Sequence, residues 1–281
     1  MSASNIQRTI NGARIVFWIV TLIVLLPLIY QIGISFKNPQ QIFTTPILPF
    51  TLPPSLENYA AVIRQMDIPL YLFNSLVFSF GVTFGQLALA IPAAFSFAYF
   101  NFRFKNQLLG LVIVSLAVPF VVTYIPNYLL LAQWRMINTL HGMILPMLGI
   151  SLGFGIFLLR QHFLSFPREV LEAAQIDGAN SWDILWRVLL PANLSPVVAV
   201  GLYVLINSWN QFIWPLLVGG GNPKSYTLTV AVQLFYTSPE GGDYWGAIMA
   251  ASVLTSLPTV VIFLLMRKRI LTTFVEGAVK G

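Results

Sequence analysis

Six long runs without a charged residue constrain this chain more than any other feature of its sequence. They lie between Arg14 and Lys37, Asp67 and Arg103, Lys105 and Arg135, Arg135 and Arg160, Arg187 and Lys224, and Asp243 and Arg267. Each run has room for the roughly 20 apolar residues that a helix needs to cross a bilayer. Because a charged side chain costs about 2.5–3.5 kcal/mol at the centre of such a helix, the runs mark where the chain crosses a membrane.

The composition agrees with this interpretation, since 57% of the residues are apolar and only 9% are charged. Soluble domains carry about 25% charged residues. The sequence predicts an all-α integral membrane protein in which residues 1–281 form a single transmembrane domain. The six spans are predicted near residues 15–36, 70–100, 107–132, 142–160, 194–217 and 244–266. The first is too long for a signal peptide, and no Ala-x-Ala cleavage site follows it.

The distribution of lysine and arginine predicts the orientation, because cytoplasmic loops are enriched in both. If the amino terminus is inside, eleven of these residues are cytoplasmic: Arg8, Arg14, Arg103, Lys105, Arg160, Arg168, Arg187, Arg267, Lys268, Arg269 and Lys280. Four are external: Lys37, Arg64, Arg135 and Lys224. The bias predicts that both termini are cytoplasmic. It also explains the net charge of +6, so we infer no nucleic-acid partner.

A polar segment, residues 161–193, lies between the fourth and fifth spans and is much longer than a connection requires. Ser165 and Pro167 are typical of a helix start, and Gly178 predicts a left-handed turn that ends this helix. Ser181 is predicted to cap a second helix. We call residues 161–193 the hairpin segment and predict that it contacts another protein.

The hairpin segment resembles the cytoplasmic coupling loop of the membrane subunits of ATP-binding-cassette importers. That loop carries Glu-Ala-Ala, three residues, then Gly, and a Leu-Pro further along. The matching residues are Glu172, Ala173, Ala174, Asp177, Gly178, Ala179 and the pair Leu190-Pro191. The resemblance implies a type I importer permease fold with six transmembrane helices and a coupling helix, and Pro191 is expected to end the second helix. It also places the protein in a bacterial or archaeal cytoplasmic membrane.

The same resemblance implies the partners, which are an ATP-binding-cassette ATPase dimer, a second related permease, an extracytoplasmic solute-binding protein and membrane lipid. ATP and Mg are expected on the ATPase, with no cofactor, metal or catalytic residue in this chain. The sequence agrees that ATP is bound elsewhere. The one segment that resembles a phosphate-binding loop ends in Lys224-Ser225, but it has Val218 and Pro223 at the positions where the motif requires glycine. The absence of cysteine excludes disulfides and thiol chemistry.

Two further stretches resemble the carbohydrate branch of these importers, both its maltose-type and its glycerol-phosphate-type permeases. One is Ser-Trp-Asn-Gln-Phe-Ile-Trp-Pro-Leu at residues 208–216, and the other is the tail at residues 274–281. The resemblance implies that the tail contacts the ATPase through Glu276, Gly277 and Lys280. A disordered terminus is the alternative. A sugar and a phosphorylated polyol both remain open as cargo.

A polar face on the fifth span is a candidate substrate pathway. Asn207, Asn210 and Gln211 recur at helical spacing, and Trp214 follows one turn later. Amides beside tryptophan suit hydroxyl-rich ligands, but they also suit hydrogen bonds between helices. Two weaker candidates are Asn127 and Tyr124.

The external segment, residues 218–243, begins with three glycines and has an apolar middle. We expect it to be flexible at its root. By resemblance to maltose-type permeases, Tyr226, Gln233 and Tyr236 are expected to contact the binding protein.

Small residues predict where helices pack closely, because glycines four apart let two backbones approach. Gly81 with Gly85, and Gly149 with Gly153, show this spacing. Pro119 and Pro126 predict local unwinding of the third span.

Two other functions compete with a carbohydrate importer. One is an importer of amino acids, peptides or oxyanions. The other is an ion-coupled secondary transporter, which usually needs a carboxylate or histidine at membrane depth. The interiors of the predicted spans contain no Asp or Glu.

Overall fold

The computed structural model describes residues 3–45, 48–237 and 245–279, with side chains for residues 12–45, 48–237 and 245–265. These residues form helices and no strand. The α-helices are α1 Ala3–Ser35, α2 Pro39–Ile42, α3 Glu57–Gln65, α4 Ile68–Tyr99, α5 Lys105–Ser115, α6 Tyr124–Gln133, α7 Leu140–Ile150, α8 Leu152–Leu164, α9 Arg168–Ile176, α10 Ser181–Asp183, α11 Leu190–Ala192, α12 Leu194–Trp209, α13 Ile213–Gly219, α14 Leu228–Thr237 and α15 Trp245–Val279. Short 3-10 helices lie at Phe120–Thr123 and Pro223–Ser225, and a π-helical turn at Ile184–Leu189.

Three of these helices are long and apolar enough to cross a membrane unaided, namely α1, α4 and α15. Three bent pairs reach the same length: α5 with residues 120–133 at 97°, α7 with α8 at 47°, and residues 181–192 with α12 at 82°. The described chain therefore has up to six spans, and the number six stays a prediction. The expected break of the third span occurs before Pro119, whereas Pro126 lies inside the continuous helix α6.

Residues 194–217 contain two helices instead of one. Helix α12 ends at Trp209, Asn210 is its C-cap, and α13 begins at Ile213. Pro215 explains the break, because it has no N–H and its ring clashes with the carbonyl group of residue 211 in a continuous helix. The predicted polar face therefore does not continue along one helix to Trp214.

The described chain divides into two compact units. The first comprises Met1–Ile68 and Ala231–Pro258. In this unit the side chains of α1 are exposed along most of its length. Beyond its end Lys37 is buried, and its Nζ donates to the carbonyl oxygen of Thr45. The Asn58 carboxamide donates to the carbonyl oxygens of Ser35 and Lys37 at 3.1 and 2.7 Å, which fixes the chain where it leaves α1.

The second unit comprises Pro69–Val230 and Thr259–Gly281, and α4 runs through its core. Close packing of α4 against α7 confirms the expectation for two glycines. A Cβ atom at Gly81 would lie 2.8 Å from Cδ1 of Ile144, and one at Gly85 would lie 2.5 Å from Cδ2 of Leu148. The expectation for Gly149 is wrong, because nothing lies within 4 Å of a Cβ atom built there.

The remaining glycine of these pairs, Gly153, does pack closely. A Cβ atom there would lie 2.8 Å from Oγ of Ser115, so α8 and α5 approach at this point. The hairpin segment belongs to the same unit, and its buried side chains join this core.

Candidate functional site

Helix α9 has one buried and one exposed side. Leu171 is buried and Ala174 packs against the same core cluster. Glu172 and Ala173 are exposed, and Ile176 is 86% exposed at the end of the helix. A large exposed apolar side chain beside small residues and a carboxylate makes a low surface that suits a protein groove.

The turn after α9 has the geometry predicted from Gly178, whose φ is +87°. The N–H of Gly178 donates to the carbonyl oxygen of Gln175 at 3.0 Å, and that of Ala179 donates to Ala174 at 3.0 Å. This pair of bonds is a Schellman motif, which satisfies carbonyl groups that a helix end leaves unpaired. Because no atom lies within 4 Å of a Cβ atom built at Gly178, the backbone angle alone requires glycine.

Both predicted helices of the hairpin segment are present, beginning at Arg168 directly after Pro167 and at Ser181, but neither Ser165 nor Ser181 caps them. Ser165 is the C-cap of α8, its hydroxyl donates to the carbonyl oxygen of His162, and Pro167 occupies the position before α9. The cap of the second helix is Asn180, not Ser181. Its Oδ1 accepts from the N–H groups of Trp182 and Asp183 at 2.9 and 3.1 Å. An Asn before two such N–H groups is a common cap, and this signal was present in the sequence.

Pro191 does not end the second helix, since α11 continues to Ala192. The residues before it form a π-helical turn, in which the N–H of Leu190 donates to the carbonyl oxygen of Leu185. This wider turn is the local solution to proline, which lacks an N–H and would clash with the preceding turn of an α-helix.

The second half of the hairpin segment packs on the core through Ile184, Leu185 and Leu189. At its end, Asn193 Nδ2 donates to the carbonyl oxygen of Leu189 at 2.9 Å, where the chain bends into α12. The ion pair between Arg187 and Asp183, at 3.0 Å, is solvent-exposed and adds little stability. Buried apolar contacts therefore hold the segment to the spans.

The residues predicted for the substrate pathway separate into two groups. Asn207 and Asn210 are exposed, and their carboxamides donate to the carbonyl oxygens of Tyr203 and Ile206 in their own helix. Gln211 lies in the break after α12, and Asn127 is half-buried on α6. None of these four residues is buried.

Trp214 and Tyr124 belong to the buried cluster of the second unit instead. Trp214 is fully buried, and its Nε1 donates to the carbonyl oxygen of Met143 at 2.9 Å. Its ring lies 5.7 Å from Tyr124 and 5.8 Å from Phe120. These contacts give both side chains a packing role in the described conformation.

The root of the external segment is anchored, so the expected flexibility is wrong for the described residues 218–228. The Asn74 carboxamide donates to the carbonyl oxygens of Lys224 and Tyr226, both at 2.9 Å. The Ser225 hydroxyl donates to the carbonyl oxygen of Asn138 at 2.7 Å. A Cβ atom at Gly219 would lie 2.1 Å from Cε of Met143, so this glycine permits close packing.

The apolar middle of the external segment is helix α14. The Tyr226 hydroxyl donates to the carbonyl oxygen of Gly220 at 3.2 Å, ahead of the helix. Gln233 and Tyr236 are exposed on the helix, and the Tyr236 ring lies 6.4 Å from Trp245. Residues 238–244 lie outside the described part of the chain.

The predicted tail contacts are described only in part. Glu276 and Gly277 lie within helix α15, where the structure describes the backbone alone, and Lys280 lies outside the described residues.

With this geometry established, comparison with known proteins gives the family. A family model described as the inner membrane component of binding-protein-dependent transport systems matches residues 86–271. The chain belongs to this family. It is therefore a membrane-embedded transport subunit, and the match includes the whole hairpin segment.

Two curated relatives match most of this permease. The sn-glycerol-3-phosphate transport system permease protein of Yersinia enterocolitica is 29% identical over 264 residues, covering 92% of each chain. The lactose transport system permease protein of Rhizobium radiobacter is 32% identical over 222 residues, covering 79% of this permease and 78% of the relative.

A solved structure agrees with the permease fold. One chain of a bacterial ABC transporter involved in the import of the acidic polysaccharide alginate superposes with a TM-score of 0.82 over 95% of this permease and 98% of that chain, at 19% identity. At this identity the likeness shows the fold, which is the all-α type I importer fold predicted from the hairpin motif.

Proposed function

We propose that this permease imports a carbohydrate or a glycerol-phosphate-type solute, driven by ATP hydrolysis on a separate ATPase dimer. The hairpin segment carries this proposal. It presents Glu172, Ala173 and Ile176 to solvent, while Leu171 and Leu189 pack it onto the spans. A surface that is exposed on one side and fixed on the other transmits force as a rigid body.

The mechanism follows from this arrangement. The ATPase, which holds ATP and Mg, binds the exposed surface of α9. Closure of the ATPase dimer then moves the hairpin segment. Because interiors are densely packed, the displacement passes to the spans without being absorbed locally. The spans then alternate between outward and inward access together with those of a second permease. Glu276, Gly277 and Lys280 are a second proposed contact with the ATPase.

The cargo is inferred from the relatives. The named solutes of the two curated permeases are sn-glycerol 3-phosphate and lactose, both small polyhydroxylated molecules. Exposed carboxamides at Asn207 and Asn210 are suited to hydrogen-bond hydroxyl groups, and we propose them with Gln211 and Asn127 as the pathway lining. Trp214 and Tyr124 are assigned to packing in the core, and not to this lining.

Two alternatives remain, an importer of another solute class and an ion-coupled transporter. Proteoliposomes distinguish the energy source. We reconstitute the permease with its partner permease and ATPase, add loaded binding protein, and supply either internal ATP or a proton or sodium gradient. Uptake of a labelled sugar or glycerol phosphate is expected with internal ATP and no ion gradient. Uptake driven by a gradient without ATP would contradict the proposal, and ATP-driven uptake of an amino acid alone would move the permease to another branch.

We also propose that both termini and the hairpin segment are cytoplasmic, and that α14 lies outside and contacts the binding protein. Gln233 and Tyr236 are exposed on α14, which leaves them accessible to a docking protein. Since the chain has no cysteine, single cysteines report the side directly.

We expect Gln233→Cys to react with an impermeant thiol reagent in intact cells and Ser181→Cys to react only after permeabilisation. Both side chains are exposed, and the proposed topology places them on opposite sides of the membrane. Adding loaded binding protein to washed spheroplasts is expected to slow labelling at position 233. Labelling of position 181 in intact cells would overturn the topology. Labelling of position 233 that ignores the binding protein would remove α14 from the docking surface.

A further inference from the structure

A cavity of about 460 Å³ opens between the hairpin segment and the ends of α4 and α5. Its charged walls are Lys105, Arg168 and Glu172. Tyr99, Asn101 and Ser181 add polar groups. Glu172 also belongs to the proposed ATPase contact, so the cavity opens beside that surface, between α9 and the ends of α4 and α5.

The two cations give the cavity one net positive charge. Lys105 Nζ donates to the carbonyl oxygen of Phe100 at 2.8 Å, which uses one of the three donors of an ammonium group. Arg168 is the first residue of α9, at the positive end of the helix dipole, and no side chain caps that end. A guanidinium and an ammonium that line one cavity suit a phosphate group, because the planar fork matches the phosphate oxygens.

An apolar crevice of about 180 Å³ adjoins this cavity and shares Phe95, Phe100 and Ser181 with it. Pro92 and Leu185 complete an apolar lining. A cationic cavity that adjoins an apolar crevice is suited to an amphiphilic ligand, with a charged headgroup and an apolar chain.

An exposed tryptophan pair lies at the mouth of this crevice. Trp182, which lines it, stacks on Trp186 with ring centroids 6.3 Å apart and planes 9° apart. Both rings are exposed. Tryptophan is enriched where a membrane meets water, so an exposed pair here is suited to contact lipid headgroups.

We propose that the cavity and crevice together bind one anionic phospholipid. Its phosphate lies between Lys105 and Arg168, and part of an acyl chain fills the crevice beside Trp182. Basic pockets between transmembrane helices on the cytoplasmic side bind such headgroups. The lipid would connect α9 to the ends of α4 and α5, and thus stiffen the hairpin segment beside the proposed ATPase contact.

The test uses the full-length chain alone, so it does not depend on the proposed transport function. Thermal unfolding in detergent is measured with added short-chain phosphatidylglycerol, phosphatidylcholine or sn-glycerol 3-phosphate. Of these three additives, only phosphatidylglycerol is expected to raise the unfolding temperature. In the double variant Lys105→Gln with Arg168→Gln, the apparent affinity for phosphatidylglycerol is expected to fall on the order of tenfold, because hydrogen bonds from two charged groups to the phosphate are lost.

Three matched variants sharpen the result. Arg187→Gln removes an exposed cation of the same segment that does not line the cavity, and is expected to behave like the parent chain. Lys105→Arg, which keeps the charge, is expected to retain binding. Ser96→Leu fills the crevice and is expected to weaken phosphatidylglycerol binding.

Protection by sn-glycerol 3-phosphate to the same extent would overturn the lipid assignment in favour of a soluble phosphate ester. Equal protection by phosphatidylcholine, or a double variant that still responds like the parent, would overturn the site.

Discussion

A Gly178→Val chain reaches the membrane in normal amount but loses ATP-driven uptake, by about tenfold or more, because a β-branched residue disfavours positive φ by roughly 1–2 kcal/mol. Nothing crowds a Cβ atom at this position, so the change acts through the backbone angle. The Schellman turn relaxes, and α9 leaves the orientation in which it can meet the ATPase. Membrane content by immunoblot and uptake in proteoliposomes measure the two effects separately.

Gly178→Asn is the matched control, because asparagine tolerates the left-handed region better than other residues with a side chain. It is expected to retain most uptake. If valine and asparagine at position 178 transported equally well, the turn would have no role in coupling.

Replacing Trp214 with alanine gives the largest expected loss of stability. The side chain is fully buried against Phe120 and Tyr124, and truncating a buried aromatic side chain costs about 3–5 kcal/mol. Trp214→Phe keeps most of the packing but loses the hydrogen bond to the carbonyl oxygen of Met143, at a cost of about 0.5–1.5 kcal/mol. The midpoint of thermal unfolding in detergent measures both.

Trp134→Ala provides the control, since this tryptophan is about half-exposed and its loss creates no cavity. Its midpoint is expected to stay close to that of the parent chain. If Trp214→Ala unfolded no earlier than Trp134→Ala, Trp214 would not hold the core of the second unit together.

The positions of the long apolar helices α1, α4 and α15 could be predicted because the cost of a charge in a bilayer acts on each residue alone. The Gly178 turn could be predicted for a similar reason, since positive φ is a local requirement. In both cases the sequence contains the whole cause, and no knowledge of neighbouring helices is needed.

The features that were missed depend on tertiary contacts. The break at residues 211–212 divides the predicted fifth span into two helices, so the polar face does not continue to Trp214. This break lets Trp214 enter the core. Asn74 lies about 150 positions from the carbonyl groups that it binds, and no short-range pattern reveals such a partner. Three consecutive glycines from Gly219 predict a flexible root, but the absence of a side chain at Gly219 allows Met143 to pack against its backbone.

Photo-crosslinking from position 176 tests the central claim most directly, that the exposed side of α9 docks on an ATPase. A benzophenone side chain replaces Ile176, the most exposed apolar residue of the hairpin segment, and a second chain carries it at Val121, which is exposed in a predicted span. After illumination in native membranes, mass spectrometry identifies the adducts. The proposed function predicts an ATPase chain crosslinked from position 176 and none from position 121. Adducts from position 176 that contain only lipid, or no adduct at all, would contradict it.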